Sequence, residues 1–345
     1  MPGEIEPLRT DRIGRPSTGG PVAAQARPRG PAIALDDTMA EAARATLLRH
    51  WKRARKAEPG ARDGGDIEQV HDLRVAVRRL RVAFRVFADD LDGDALRPFR
   101  KPLRRGARVL GAVRDLDVFH EKARRYVYTL PEDRRDELYP LLAAWQAAHD
   151  RARRKLIAWL DSGAFARFAA AFDKCLRGPG LAHGRRARRL VRDVVPIVLL
   201  DEWTSVRAYD ESVTAPGVPV EQLHRLRIAC KRLRYTLEFF APVLGAPVDP
   251  RVEQLTRVQD HLGNVQDAVI ACGVLEDFLA RGEWSDGAER SRRRPHAVTG
   301  APGVAAYLAA RRWEIQTLVQ AFPQIWAPVR STEFKKQLLS LIADW

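Results

Sequence analysis

Apolar residues between Val70 and Phe87 recur at alternating steps of four and three: Leu73, Val77, Leu80, Phe84 and Phe87. At roughly 100° per residue they share one face, so the stretch predicts a helix with an apolar stripe. His71, Arg74, Arg78, Arg81 and Arg85 recur at steps of three and four and make a second stripe. A solvated basic face should lie opposite the apolar one, but Val75, Val82 and Val86 flank this stripe on its far side. Asp72, Ala76, Arg79 and Ala83 are left to face water. A basic stripe between apolar borders is expected to point into a groove or cavity. Charges half out of water need an anionic partner there, because an unpaired buried charge is costly.

The stretch from Leu223 to Phe240 repeats this pattern. His224, Arg227, Lys231 and Arg234 match His71, Arg74, Arg78 and Arg81. Leu226, Cys230, Leu233, Leu237 and Phe240 match the apolar stripe, and Glu238 stands opposite Arg85. Further on, Leu262-Gly263-Asn264-Val265-Gln266-Asp267 echoes Leu110-Gly111-Ala112-Val113-Arg114-Asp115. Two echoes in the same order predict internal duplication.

Periodicity predicts helices elsewhere as well. One runs from Leu35 to Arg55, with Asp36, Asp37 and Thr38 as N-cap candidates. The Pro- and Gly-containing stretch from Ala57 to Gly65 reads as a loop, and Asp66 or a neighbour as the next cap. Helical segments follow over Pro98–Tyr128, Glu132–Leu160, Arg185–Tyr209, Leu255–Leu279 and Val304–Trp345. Phe165, Phe168 and Phe172 are expected in the core, and Gly111 at a close helix contact. Strand-like alternation bounded by turn residues is nearly absent. The fold class expected is all-α, two related four-helix bundles. Residues 1–34 read as a disordered Pro/Gly/Arg-rich tail, 35–180 as the first helical half and 181–345 as the second, with 282–303 a loop or insertion.

Charge narrows the partner. Lys and Arg number 59 against 44 Asp and Glu, a formal charge of +15 over 345 residues. That favours a polyanion: nucleic acid, a membrane surface or a phosphate polymer. The apolar run Val194-Val195-Pro196-Ile197-Val198-Leu199-Leu200 is too short to span a bilayer, so no membrane insertion is expected. Cys175, Cys230 and Cys272 form no Cys-x-x-Cys pair and suit a reducing cytoplasm.

Candidate chemistry points to binding. An arginine fork holds phosphate oxygens bidentately, and a row of such forks about 5–6 Å apart suits repeated anionic groups. His71, Arg74, Arg78, Arg81, His224, Arg227, Lys231 and Arg234 are the principal candidates, and Arg85, Arg104 and Arg108 join them. Asp115 is a candidate partner for an arginine of the first basic helix. The histidines lack a second His or Cys at ligand spacing, so no metal site is expected. No His-Glu-x-x-His, Gly-x-x-x-x-Gly-Lys-(Ser/Thr) or Gly-x-Ser-x-Gly motif is present. No enzyme activity, catalytic residue or cofactor is expected, and no protein partner is identifiable. The rival readings are a nucleic-acid binder, which would want aromatics among its basic positions, and a metal-dependent polyphosphate or triphosphate hydrolase.

The doubled His-x-x-Arg-x-x-x-(Arg/Lys)-Arg-x-Arg pattern, with Leu110-Gly111-x-x-Arg114-Asp115, resembles the CHAD domain over roughly residues 35–345. That resemblance implies two four-helix bundles related by a pseudo-twofold, with basic helices facing a central pore or groove. It also implies binding of inorganic polyphosphate and association with polyphosphate granules in the prokaryotic cytoplasm. Some relatives carry a fused CYTH triphosphatase domain; no Glu-x-Glu-x-Lys signature stands near the start of this chain. Gln266 in place of Arg114, and Glu238 opposite Arg85, imply a weaker grip by the second half.

Overall fold

The helices assemble in chain order around their alanine-, leucine- and phenylalanine-rich faces. The computed structural model describes residues 33–345 apart from 64–66, 179–180, 182–183, 216, 283, 285–300 and 344. The expected tail, the cap at Asp66 and most of the 282–303 loop therefore lie outside the described residues.

The first half comprises α1 (Met39–Asp63), α2 (Ile67–Val86), α3 (Gly93–Thr129), α4 (Tyr139–Leu160) and α5 (Gly163–Arg177). The second comprises α6 (Val191–Arg207), α7 (Asp210–Thr214), α8 (Val220–Leu244), α9 (Asp249–Arg281), α10 (Pro302–Arg330) and α11 (Thr332–Ser340). Short 3₁₀ turns at Glu132–Leu138 and Ala246–Val248 precede α4 and α9. No strand forms among the described residues; Thr38 and Leu190 make an isolated antiparallel bridge. Each basic helix is thus followed by a long one, α2 by α3 and α8 by α9. The neighbours also run in the same order: α1, α2, α3, α4 in one half and α6, α8, α9, α10 in the other.

Local chemistry starts the helices. At α1, Thr38 Oγ1 accepts from the Glu41 amide at 3.3 Å and Glu41 returns a bond to the Thr38 amide at 2.8 Å, a capping box. Asp92 accepts from the Asp94 and Ala95 amides to start α3, and Ser162 accepts from the Phe165 amide to start α5. The expected loop from Ala57 to Gly65 is largely helix instead. α1 continues through Pro59 and Gly60 to Asp63 because Ala57 and Ala61 still have core to cover. A β-carbon on Gly60 would lie 2.5 Å from Gln69, so α1 and α2 come too close there for any larger residue.

Phe165, Phe168 and Phe172 are buried as expected, Phe168 and Phe172 against Trp51 and Phe99, and Phe165 against Trp159. Gly111 is not at a close contact, since a β-carbon there would meet nothing within 4 Å. The tight position on α3 is Gly106, where a β-carbon would sit 2.5 Å from the Trp159 ring of α4.

The halves join through α2 and α8. Phe87, just past α2, packs on Phe239 and Phe240 with ring centroids 6.1 and 5.6 Å apart. This contact overturns one face assignment. Ala76 and Ala83 are buried and Arg79 nearly so, paired with Glu238 of α8; of the four residues that the sequence pattern gave to water, Asp72 alone is exposed.

Candidate functional site

Where α2 meets α8, an ion pair crosses the interface. Arg79 Nη2 lies 2.7 Å from Glu238 Oε2, with the two side chains 13% and 4% exposed. Arg234 Nε stands 3.8 Å from the same carboxylate, and its Nη1 donates to Thr256 Oγ1 of α9 at 3.1 Å. The Tyr235 ring takes both guanidiniums within cation–π range, Arg234 at 4.9 Å and Arg79 at 5.9 Å. Glu238 is therefore not an intruder in a binding stripe. It is the internal counter-charge of two arginines, one from each half.

Above this latch the cations of both stripes come together. Burial lowers the pKa of Arg78, and the fields of Arg74 and Arg234 add to it. Arg227 is lowered by burial, partly offset by Asp267, with Arg78 and Arg74 opposing it. Lys231 is pushed down to about 7, first by burial and then by Arg227, Arg78, Arg234 and Arg74. Arg74, Arg78, Arg227, Lys231 and Arg234 thus form one cluster drawn from two helices that are distant in sequence.

α3 and α9 present carboxylates to it. Arg74 Nη2 donates to Asp115 Oδ1 at 3.4 Å, the pairing foreseen for Asp115. Lys122 ties α3 to α9, donating to Asn264 Oδ1 at 3.3 Å and lying 3.8 Å from Asp267 Oδ2. Arg227 lies against Gly263, its Nη2 only 3.5 Å from where a β-carbon would stand. Asp115 remains 65% exposed, yet burial is the main cause raising its pKa. Asp260 is likewise exposed, with its pKa raised by burial against the pull of Arg234, Arg227 and Arg78. Both carboxylates thus meet water while arginines of the cluster act on them.

The remaining candidates sort apart. Arg81 and Arg85 are exposed; burial lowers the pKa of Arg81, and Arg85 and Arg104 lower it further, so these three form a second basic group. None of them is among the charges acting most on Lys231, Arg78 or Arg227. Arg108 is exposed on α3, one turn from Arg104. The histidines differ from each other. His71 has its pKa lowered by burial first and by Arg114 second, so repulsion by arginines is the smaller cause. His224 Nδ1 lies 2.8 Å from Gln266 Oε1. Gln266, which replaces Arg114 in the echo, therefore holds the second histidine instead of repelling it. Among the described residues no group of three or more His, Cys, Asp or Glu stands where it could hold a metal ion.

Sequence reasoning missed Arg79, Asp260, Thr256 and Lys122. Arg79 was hidden by the face assignment, and Asp260 has no partner in the repeat. Asp267 was visible in the echo of Asp115 but was given no role.

The family model for the CHAD domain matches residues 45–276. The chain belongs to the CHAD-domain family. Solved structures agree on the CHAD fold. The crystal structure of the CHAD domain from the plant Ricinus communis superposes with a TM-score of 0.65 at 21% identity, covering 88% of this chain and 96% of that one. PptA from Streptomyces chartreusis superposes with a TM-score of 0.65 at 17% identity, covering 84% of this chain and all of the other. No curated protein sequence matches. No helix among the described residues is long and apolar enough to cross a membrane.

Proposed function

We propose that this CHAD protein binds inorganic polyphosphate, without turning it over, in a basic recess between its two halves. The observation that carries the reading is the convergence of Arg74, Arg78, Arg227, Lys231 and Arg234. Their own carboxylates, Asp115, Asp260, Asp267 and Glu238, are fewer than the cations once Arg79 and Lys122 are added. A surplus of positive charge lowered by burial is stabilised by an anion with many charges along its length. Polyphosphate supplies one charge per unit and no bulk beyond the chain.

The aromatic of the cluster, Tyr235, is only 1% exposed beneath the guanidiniums and offers no face for a base to stack on. That weighs against nucleic acid. Membership of the CHAD family supports the polyphosphate reading through the resemblance drawn from the doubled motif. On this reading the two halves are duplicated and related by a pseudo-twofold. The protein resides in the cytoplasm, on polyphosphate granules. Arg81, Arg85, Arg104 and Arg108 extend the path taken by a long chain.

The test is competition at physiological salt between long-chain polyphosphate, single-stranded RNA and duplex DNA, with orthophosphate release followed in the same samples. Polyphosphate should displace both nucleic acids at equal charge concentration, with no orthophosphate released in Mg²⁺ or Mn²⁺. Preference for RNA or DNA, or release that a site variant abolishes, defeats the proposal.

A further inference from the structure

Lys231 occupies the position that Arg78 holds in the first basic helix, and it is the cluster's one member that can lose its proton near neutral pH. A guanidinium stays charged throughout the accessible range, whereas a lysine amine yields when buried or crowded by cations. The crowding is specific. Arg227 and Arg234 come from its own helix, and Arg74 and Arg78 from α2. The carboxylates that face the cluster are committed elsewhere. Asp115 accepts from Arg74, and Asp267 serves Arg227 and Lys122. Asp260 is drawn by Arg234, and Glu238 holds Arg79 and Arg234. Lys231 has no hydrogen bond or ion pair of its own among the described residues.

We propose that Lys231 is the proton acceptor of this site: neutral without an anion, it takes a proton from solvent when a phosphate chain enters, so that capture and proton uptake are one event. No covalent bond changes; the amine lone pair gains a proton and the ligand's negative charge stabilises the ammonium. This rests on the polyphosphate reading for its ligand, but the state of the empty site does not. The amine has been pushed down to about 7 by burial and then by the four arginines. An ordinary lysine titrates near ~10.4, and a bound polyanion drives Lys231 back toward that value. The sign follows. Below about pH 7 the amine is already charged and itself takes up no further proton on binding; above it, uptake by Lys231 approaches one proton per site and affinity falls close to tenfold per pH unit. Interior phosphates of a long chain stay ionised over this range, so the ligand adds little to the slope.

Two measurements test this. In the ligand-free protein, competitive acetylation of amines read by mass spectrometry should show Lys231 half-reactive near about pH 7, far below the ~10.4 of an ordinary lysine. Calorimetry with long-chain polyphosphate at about pH 8.5, in buffers of different ionisation enthalpy, should show about one proton taken up per site. Lys231→Arg should lose that uptake and weaken less than threefold between about pH 7 and 8.5, where the native protein weakens about fifteenfold. Lys231→Gln, checked for folding by its melting transition, should lose the uptake too. Labelling of Lys231 with the ordinary lysine profile overturns the inference whatever the ligand does, as does full uptake in Lys231→Arg. Failure of polyphosphate to bind at about pH 6.5, where the amine is charged, overturns the ligand and its linkage, and the labelling result then stands on the empty site alone.

Discussion

Reversing two charges separates the recess from the net charge of the chain. The double variant Arg74→Glu, Arg227→Glu removes four units of formal charge at the cluster. The control Arg154→Glu, Arg188→Glu removes the same four at exposed positions. Long-range attraction falls equally in both, so the difference between them reads the local contacts. A charge-assisted hydrogen bond to phosphate is worth about 1.5–3 kcal/mol. The structure sets a discount, because Arg74 already donates to Asp115 at 3.4 Å and that carboxylate is 65% exposed. An exposed pair of this kind contributes no more than about 1 kcal/mol. The net loss on removing two arginines is therefore about 2–5 kcal/mol. Placing carboxylates beside the bound chain adds about 2–3 kcal/mol of repulsion at 6 Å with an effective dielectric of about 20.

The site variant should thus bind long-chain polyphosphate at least about a hundredfold more weakly than the control. Its salt slope should also be shallower, since fewer counterions are released. Fluorescence competition over a salt series measures both. Melting temperatures come first, because the substitutions relieve repulsion among Arg78, Arg227 and Lys231 and so act on stability as well as on binding. Equal weakening in two folded variants would refute the recess and leave only a basic protein that attracts polyanions.

Three further outcomes follow from the packing and the charges. Glu238→Ala strands Arg79 and Arg234 against Tyr235 and should cost about 3–5 kcal/mol in urea unfolding, whereas the triple replacement Arg79→Met, Arg234→Met, Glu238→Met removes all three charges and should be neutral or stabilising; equal losses would mean that no ion pair is being broken. Gly106→Ala drives a methyl into Trp159 and should cost about 1–3 kcal/mol, while Gly111→Ala fills open space in a helix interior and should gain about 0.5–1 kcal/mol; the reverse order would contradict the α3–α4 contact. His71 has its pKa lowered in the empty site, chiefly by burial, so an anion that raises it makes binding take up a proton as pH falls through about 6.5. The corresponding gain in affinity below about pH 7 should disappear in His71→Gln, and its persistence would assign the imidazole a structural role.

The fold was legible because its signals are local. A period of three and four repeated over α2 and α8 declares two helices, and of the cap candidates Asp36, Asp37 and Thr38 it is Thr38 that starts α1. The errors have one cause, which is that a helix has more faces than its own periodicity can assign. Arg79 stands among Asp72, Ala76 and Ala83, and by pattern this is a solvent face. In the fold Arg79 meets Glu238 from the other half, and Ala76 and Ala83 are buried. Gly111 reads as a contact glycine by analogy with any glycine in a helix, but the α3 glycine that needs its missing β-carbon is Gly106, opposite Trp159. The α1 boundary failed similarly. Pro59 and Gly60 signal an end, and burial of Ala57 and Ala61 overrides them.

The site was legible as a set of residues but not as an arrangement, and the departures between the repeats explain why. Exact copies of the first basic helix in both halves would bring two all-arginine stripes together where α2 and α8 meet. Each substitution in the second copy answers that problem at a different depth. Glu238, at the buried end, replaces a cation with the counter-charge that Arg79 and Arg234 require. Lys231, in the middle, replaces a permanent charge with one that can be given up. Gln266, beside His224, replaces a repelling guanidinium with an amide that holds the imidazole. Read singly, these changes look like loss of grip in the second half. Read in the fold, they let two positive helices approach each other where α2 meets α8. The strength of the first stripe depends on the compromises of the second, so variants restoring the repeat at Glu238 should be judged by folding before they are judged by binding.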